Sequence, residues 1–406
     1  MKVLEVNYTD LPGRIFDGYD LHLELRKKGV DARQVVLNKL SDTETVDQII
    51  KDSIMQMQLE EYERRNRISH LIYPNASIFE KMDVVKKADL IHYHILHNYM
   101  FSLFDYEELM NNHRSVWTIH DPWIVTGDCI YPLICEKWLD GCENCPNTDG
   151  YGYGAKPKNT HFMWERKREA LSSINPHIIV SCNFMKKYLE DSPLTKHFNK
   201  IHTIPFGVKI EENEKKKGLD REFFSINEKD IVIGFRAEEG SVKGCQYIHE
   251  ALRKLNVQNQ ITIITVGNAK ISEDIEKRYH VIQLGWVNDS NLMKKFWNVV
   301  EIFIMPSLAE SFGLMAIEAM AHQCAVVCFE NTTVEELTEA PMCGVTASYA
   351  SASSIKEKLE HLIQQKDDII LRGKLGREIV ESKYRFETYV DKHIELYKEI
   401  VMEKEI

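Results

Sequence analysis

The sequence has no run of about 20 apolar residues, the length a helix needs to cross a bilayer, and no surplus of basic charge. Its 51 Lys and Arg stand against 62 Asp and Glu, a formal net charge of -11. Residues 1–200 hold 25 basic and 29 acidic side chains and the remainder 26 and 33, so neither half is basic. A nucleic-acid protein draws most of its affinity from a basic surface, and that class is therefore excluded. Local clusters such as ERKR (165–168) and MKKYL (185–189) leave room only for a peripheral contact with anionic lipid head groups. Internal repeats and low-complexity stretches are absent as well. The opening MKVLEVNYTD lacks the basic segment and long apolar run of a secretory signal. The expectation is a cytoplasmic chain, with the inner face of the cell membrane as the place for any lipid contact.

What is present is apolar material in quantity. With 406 residues, 44% hydrophobic and 28% charged, the chain is too long for one ordinary core and fits two domains. Short β-branched runs alternate with helical patterns. The strand candidates are KVLEV (2–6), RQVVL (33–37), ADLIHYH (88–94), SVWTIH (115–120), HIIVS (177–181) and HTIPF (202–206). A second series follows: IVIGF (231–235), ITIITV (261–266), HVIQL (280–284), EIFIM (301–305) and AVVCF (325–329). Near-continuous apolar strands separated by helices mean parallel sheets covered on both faces, so the fold class is α/β with two doubly wound, Rossmann-like domains. Periodicity lapses in the charged stretch 207–224, which reads as a linker. The expected domains are 1–207 and 208–385, followed by a final helix, 386–406. The segment 41–65 also reads as helix, with its Ile, Met and Leu positions in the core.

In PSLAESFGLMAIEAMA (306–321), two carboxylates interrupt an apolar run. The strand ends at Pro306, S-F-G is turn chemistry, and LMAIEAMA is strongly helix-forming. Glu310 therefore falls in the loop beyond a strand's carboxyl end and Glu318 about one turn into the next helix, the place where open α/β sheets bind ligands. Amides at Phe312, Gly313 and Leu314 would meet an anion from the helix N-terminus. Carboxylates want hydroxyl donors instead, and a nucleotide sugar offers hydroxyls on both sides of a diphosphate.

This stretch closely resembles the E-x7-E signature of the retaining glycosyltransferases of family 4, which have the GT-B fold with two Rossmann-like domains facing an interdomain cleft. LEVNYTDLPGR, ADLIHYH, VWTIHD, IIVSCNFMKKYL, IPFGV, FRAEEGSVKG, TVGN and LGWVNDSNLMKKFW are similar, in order, to the family's successive motifs. The stretch WTIHDPWIVTGDCIYPLICEKWLDGCENCP resembles bacterial transferases of exopolysaccharide and colanic acid assembly. The resemblance implies that the first domain faces the acceptor, the second binds the nucleotide sugar, and the last helix packs back on the first. It makes Glu318 the ribose ligand and Glu310 the contact to donor-sugar hydroxyls near the reacting carbon. Arg236 and Lys243 become the diphosphate-holding pair, with Gly13 and Gly267 at the donor. His120 stands at the donor-sugar face, where it would position the donor or share the acceptor's proton. Two fixed cations stabilise a departing diphosphate without a metal, and no strand-end Asp-x-Asp pattern is found. The sequence departs from the family at PFG (205–207), and at Gln323 and Ala325 where Gly and Pro are usual.

The implied reaction moves a sugar from a UDP- or GDP-sugar to a hydroxyl of a glycan or lipid-linked glycan, with retention, in surface polysaccharide biosynthesis. Attack comes from the front face, the leaving phosphate helping to take the proton, and no cofactor is needed for catalysis. A glycosidase would also use two carboxyls, but the basic FRAEEGSVKG element would then have no purpose. Two alternatives are a non-catalytic transferase-like subunit and a GT-B epimerase. Finally, four of nine cysteines, Cys129, Cys135, Cys142 and Cys145, crowd into one stretch. Structural zinc, packed reduced thiols and a disulfide are the readings, in that order, for a cytoplasmic chain.

Overall fold

The computed structural model describes all residues except 12–17, 147–158, 211–219, 241 and 404–406. The chain divides into two compact units, Met1–Phe206 with Glu387–Ile406, and Gly207–Phe386. Part of the charged stretch read as a linker lies outside the described residues. Val208 and Arg385 form an isolated parallel bridge, with Val208 N–H donating to Tyr384 O (2.8 Å) and Phe386 N–H to Val208 O (3.0 Å). Among the described residues no helix is long and apolar enough to cross a membrane.

In the first unit the strands are β1 (Lys2–Thr9), β2 (Asp31–Asn38), β3 (Val46–Gln48), β4 (Leu90–Tyr93), β5 (Ser115–Ile119), β6 (His177–Val180) and β7 (Ile201–Thr203). They pair in parallel in the order β3-β2-β1-β4-β5-β6-β7. The second unit holds β8 (Ile231–Arg236), β9 (Ile261–Val266), β10 (His280–Gln283), β11 (Ile302–Met305), β12 (Ala325–Phe329) and β13 (Val345–Ala347), in the parallel order β10-β9-β8-β11-β12-β13. All six side chains of β9 are buried, as befits a central parallel strand covered by helices on both faces. Each sheet has a point where strand order reverses: between β1 and β4 in the first unit, between β8 and β11 in the second. Loops at the carboxyl ends of such neighbours diverge and leave a crevice.

Two expectations need correction. The segment 41–65 is not one helix: β3 pairs with β2, and the helix is Ser53–Asn66, capped by Asp52, whose carboxylate accepts from the amides of Ile54 and Met55. Of the segment's Ile, Met and Leu positions only Ile49 enters the core. Ile50 is 85% and Ile54 69% exposed, whereas Gln56 and Glu63 are buried. Glu63 accepts from the amides of His70 (2.8 Å) and Leu71 (2.7 Å), and Gln56 donates to Tyr99 O (3.1 Å). The polar face is turned inward because loop amides there need acceptors. The second correction is smaller: HTIPF is strand only to Thr203, since Pro205 cannot donate to a ladder.

The departure at Gln323 has a physical consequence. Its φ is +60°, a left-handed conformation in which glycine carries no penalty, and helix Lys366–Lys383 lies directly against it. A Cβ on Gly373 would lie 2.1 Å from the Gln323 carbonyl oxygen. Helix propensity alone makes Gly→Ala favourable by about 1 kcal/mol. Here backbone overlap decides the sign, and Gly373→Ala should destabilise by roughly 1–3 kcal/mol, the range for overpacking. Urea unfolding midpoints of the two proteins check it; an Ala variant as stable as the parent would refute the close approach.

Candidate functional site

The second unit's site grows from two loops that leave β8 and β11, on either side of the strand-order reversal. Beyond β8 the chain turns at Gly244, with φ at +72°, where a Cβ would lie 2.0 Å from the carbonyl oxygen of Pro306. Only glycine permits that approach. The loops are further tied by Leu308 N–H donating to Val242 O (2.7 Å). This seating brings Lys243 Nζ to 2.7 Å from Glu310 Oε1. Ser307 Oγ donates to the same oxygen (2.9 Å), and Thr333 Oγ1 holds the Glu310 carbonyl (2.7 Å). Glu310 is 10% and Lys243 25% exposed, so the pair is partly withdrawn from water and its charges are less screened than on an open surface.

Gly313 caps the following helix, Leu314–Ala321, in a left-handed conformation (φ 108°, ψ 51°). Glu318 lies just over one turn in. Although its side chain keeps some exposed surface, burial pushes its carboxyl up to about 7, with His322 opposing the shift. Phe312 is buried with its ring edge-on to Tyr384 (6.1 Å), so it offers this site its backbone rather than its ring. Leu314 is half-buried.

Arg236 ends β8. Its Nε lies 2.7 Å from Glu238 Oε2, and its guanidinium sits 5.4 Å from the centre of the Trp286 ring. Gly267 follows β9 with φ at +112°; a Cβ there would lie 2.2 Å from Ala237 O, and its amide donates to Gly285 O (2.7 Å). The loops after β8, β9 and β10 are thereby laced together. Gly13 lies outside the described residues.

His120 belongs to the first unit and follows β5. Its Nε2 is 3.2 Å from His94 Nδ1, and its ring stacks on Phe206 (5.7 Å between centres). Burial and the neighbouring His94, His92 and His97 rings hold it well below the ordinary histidine range. His94 Nε2 in turn meets Glu5 Oε2 at 2.7 Å. Glu5, His92 and His94 place ligand-type atoms within 4.8 Å of one another. Each is already hydrogen-bonded within the cluster, which makes it a hydrogen-bond network. Sequence reading does not single out Ser307, Thr333, Glu238, Trp286 and Glu5, and ranks His94, a histidine just after β4, below His120.

Cys129, Cys135, Cys142 and Cys145 line one small cavity of about 20 Å³. Gly127 N–H donates to Cys142 Sγ (3.1 Å). Among the described residues, no three of these sulfurs lie within 4.8 Å of one another, as the ligand-type atoms of the Glu5 group do. Lys167 is fully buried beside them, donating to Thr126 O (2.9 Å) and lying 3.5 Å from the centre of the Trp123 ring.

Fold and sequence comparisons converge on one class. Residues 229–365 match the family model "Glycosyl transferases group 1". Sucrose-phosphate synthase from Thermosynechococcus elongatus superposes with a TM-score of 0.72 at 15% identity, covering 98% of this chain and 99% of that one. Anabaena Alr3699/HepE, solved with UDP and glucose, gives 0.64 at 16% identity over 98% and 99% of the two chains. The chain has the GT-B fold and carries a glycosyl transferases group 1 domain in the second unit. More particular similarity is to an Escherichia coli K12 protein provisionally named colanic acid biosynthesis glycosyl transferase WcaC. That match is 24% identical over 73% of this chain and 71% of the relative. The capsular polysaccharide biosynthesis glycosyltransferase CapM of Staphylococcus aureus is 22% identical, over 58% of this chain and 62% of its own length.

Glu318 gives a test independent of any ligand. Its folded-state pKa stands above the ordinary glutamate value, so the folded chain keeps a proton that the unfolded chain releases. Stability should fall as pH rises from 4.5 to about 7 on this account. Glu318→Gln removes that contribution, and denaturant midpoints across the interval should fall less steeply for the variant. Identical slopes would show that the carboxyl is not held protonated.

Proposed function

We propose that this protein is a retaining glycosyltransferase that moves a sugar from a UDP- or GDP-sugar to a hydroxyl of a glycan or lipid-linked glycan in surface polysaccharide biosynthesis. The observation that carries this reading is the Lys243–Glu310 pair at the strand-order reversal of the unit holding the group 1 domain. A cation and a carboxylate fixed together suit a ligand whose diphosphate lies next to sugar hydroxyls. The UDP held by the Anabaena neighbour favours a uridine nucleotide, and the names of the WcaC and CapM relatives favour polysaccharide assembly.

On this reading Arg236 and Lys243 face the diphosphate, with backbone at Gly13, Gly267, Phe312, Gly313 and Leu314 supplying further contacts. Glu318 accepts from the ribose and Glu310 from the donor sugar. The acceptor oxygen bonds to the anomeric carbon as the bond from that carbon to the diphosphate oxygen breaks. The acceptor's proton passes to the leaving phosphate from the same face, and His120 positions the donor or shares that proton. Charge accumulating on the diphosphate meets two preorganised cations, so no metal is required. The reaction is placed in the cytoplasm, at the inner face of the membrane where the acceptor is lipid-linked.

The cysteine loop is proposed to hold one structural zinc. Support comes from the four thiols around one cavity, the N–H···S bond to Cys142, and the buried Lys167 ammonium, which would offset the negative charge of a four-thiolate site. Zinc binding would draw the sulfurs together; with four protein ligands it leaves no open position for substrate. Elemental analysis of protein purified without a metal-affinity tag should find about one zinc per chain, lost in a Cys142→Ser, Cys145→Ser double variant. A metal-free, fully folded preparation would end the zinc proposal and leave the transferase reading intact.

A binding screen of UDP, GDP, ADP and their sugars, followed by turnover with polysaccharide-repeat acceptors, tests the main proposal. Turnover should require an acceptor, which separates transfer from epimerisation, and should survive a chelator in initial-rate assays. Glu310→Gln and Arg236→Ala should each lower kcat by ~10²–10³, far more than they lower thermal stability. Unimpaired turnover in an Arg236→Ala, Lys243→Ala double variant would overturn the site assignment.

A further inference from the structure

At the carboxyl end of the first unit's sheet, where strand order reverses between β1 and β4, three side chains stand in one hydrogen-bonded file. Glu5 lies on β1, His94 follows β4, and His120 follows β5. Glu5 is wholly buried and accepts from Tyr397 Oη (2.9 Å) at Oε1. At Oε2 it meets His94 Nε2 (2.7 Å) and His92 Nδ1 (2.9 Å). Burial opposes a charge there, but the His92 and His94 rings and their hydrogen bonds win and hold the Glu5 carboxyl well below the usual range. Glu5 is therefore an acceptor only, and every partner must donate.

That requirement runs down the file. His94 must carry its hydrogen on Nε2 to satisfy Glu5. Burial and the neighbouring His92 pull its pKa down to about 4, with Glu5 opposing, so the ring is neutral and has a single N–H. Its Nδ1 can then only accept. What faces that nitrogen at 3.2 Å is His120 Nε2, which must donate. His120, neutral as well, is left with Nδ1 as its accepting nitrogen. Ring orientations are held from several sides. A Cβ at Gly18 would lie 2.6 Å from His94 Nε2, Trp117 Nε1 donates to His94 O (3.0 Å), and His120 stacks on Phe206.

We infer that Glu5 and His94 are positioning residues that lock His120 as its Nε2–H tautomer, so that Nδ1 is the nitrogen offered to a sugar hydroxyl. The inference deepens the proposed role of His120 and rests on it for its catalytic meaning, although the tautomer itself does not. A hydrogen shared with Nδ1 would be stabilised by the Glu5 carboxylate acting through His94, the logic by which a buried acid orients a catalytic imidazole.

The test pairs a spectroscopic readout with a rescue. Nitrogen-15 histidine spectra of the full-length protein, with the His120 signals assigned by loss in His120→Ala, should show Nε2 protonated and Nδ1 bare. His94→Leu removes the acceptor and should lose this tautomer bias and lower kcat roughly 10–100-fold, with KM for the nucleotide sugar unchanged. His94→Gln can donate to Glu5 and accept from His120 in the same geometry, and should restore both most of the bias and most of the rate. Thermal unfolding and nucleotide binding confirm that each variant is folded. An Nδ1-protonated His120 in the parent, or a His94→Leu variant that keeps the bias and the rate, overturns the inference. If His120→Ala itself turns over normally while the spectra show the Nε2–H form, the tautomer lock stands and the assigned role of His120 falls.

Discussion

The contact between Lys243 and Glu310 is the constraint on which the second unit's site depends. Two strands, β8 and β11, run side by side and then send their chains apart; one ion pair brings the diverging loops back together. It works because the backbone beneath it is already close. Gly244 lets the loop touch Pro306 O, Val242 accepts from Leu308, and Thr333 anchors the Glu310 carbonyl. With both partners partly withdrawn from water, loss of either would leave a charge poorly solvated and its loop without its tie. Glu310 is thus held before any ligand arrives, the condition under which a charged group contributes most to a reaction.

The sheets were legible because parallel strands are apolar on both faces: β9 and β12 run over the residues that the ITIITV and AVVCF runs mark. Glu310, Gly313 and Glu318 were legible because strand end, turn and helix fall within a dozen residues. The partners of these groups were not. Thr333 is brought to Glu310 only by tertiary packing, and Glu238 and Trp286 meet Arg236 from different loops. The helix Ser53–Asn66 misled because hydrophobic pattern says nothing of orphan amides. His70 and Leu71 needed an acceptor, and Glu63 turned inward to supply it.

Glu5 shows the same limit more sharply. A lone acidic residue inside KVLEVNYT looks like an interruption of a strand, and nothing nearby in sequence explains it. Its partners lie 87, 89 and 392 residues away (His92, His94 and Tyr397). A buried carboxylate is intolerable alone, so its presence in a central strand is itself the signal that donors must converge on it. That inference could be drawn from sequence; which donors converge could not.

The two units therefore equip their strand-order reversals in opposite ways, and the proposed reaction gives a reason. A departing diphosphate gains negative charge, so the groups that face it should be permanent cations, which Arg236 and Lys243 supply. A hydroxyl is neutral until its proton begins to move, and a cationic histidine beside it has no lone pair to accept that proton. Burial that keeps His94 and His120 neutral, with the only charge of the file placed two rings back on Glu5, leaves an accepting nitrogen at its end. A fixed positive field and a neutral acceptor are incompatible demands on one cluster, and two separate clusters meet both.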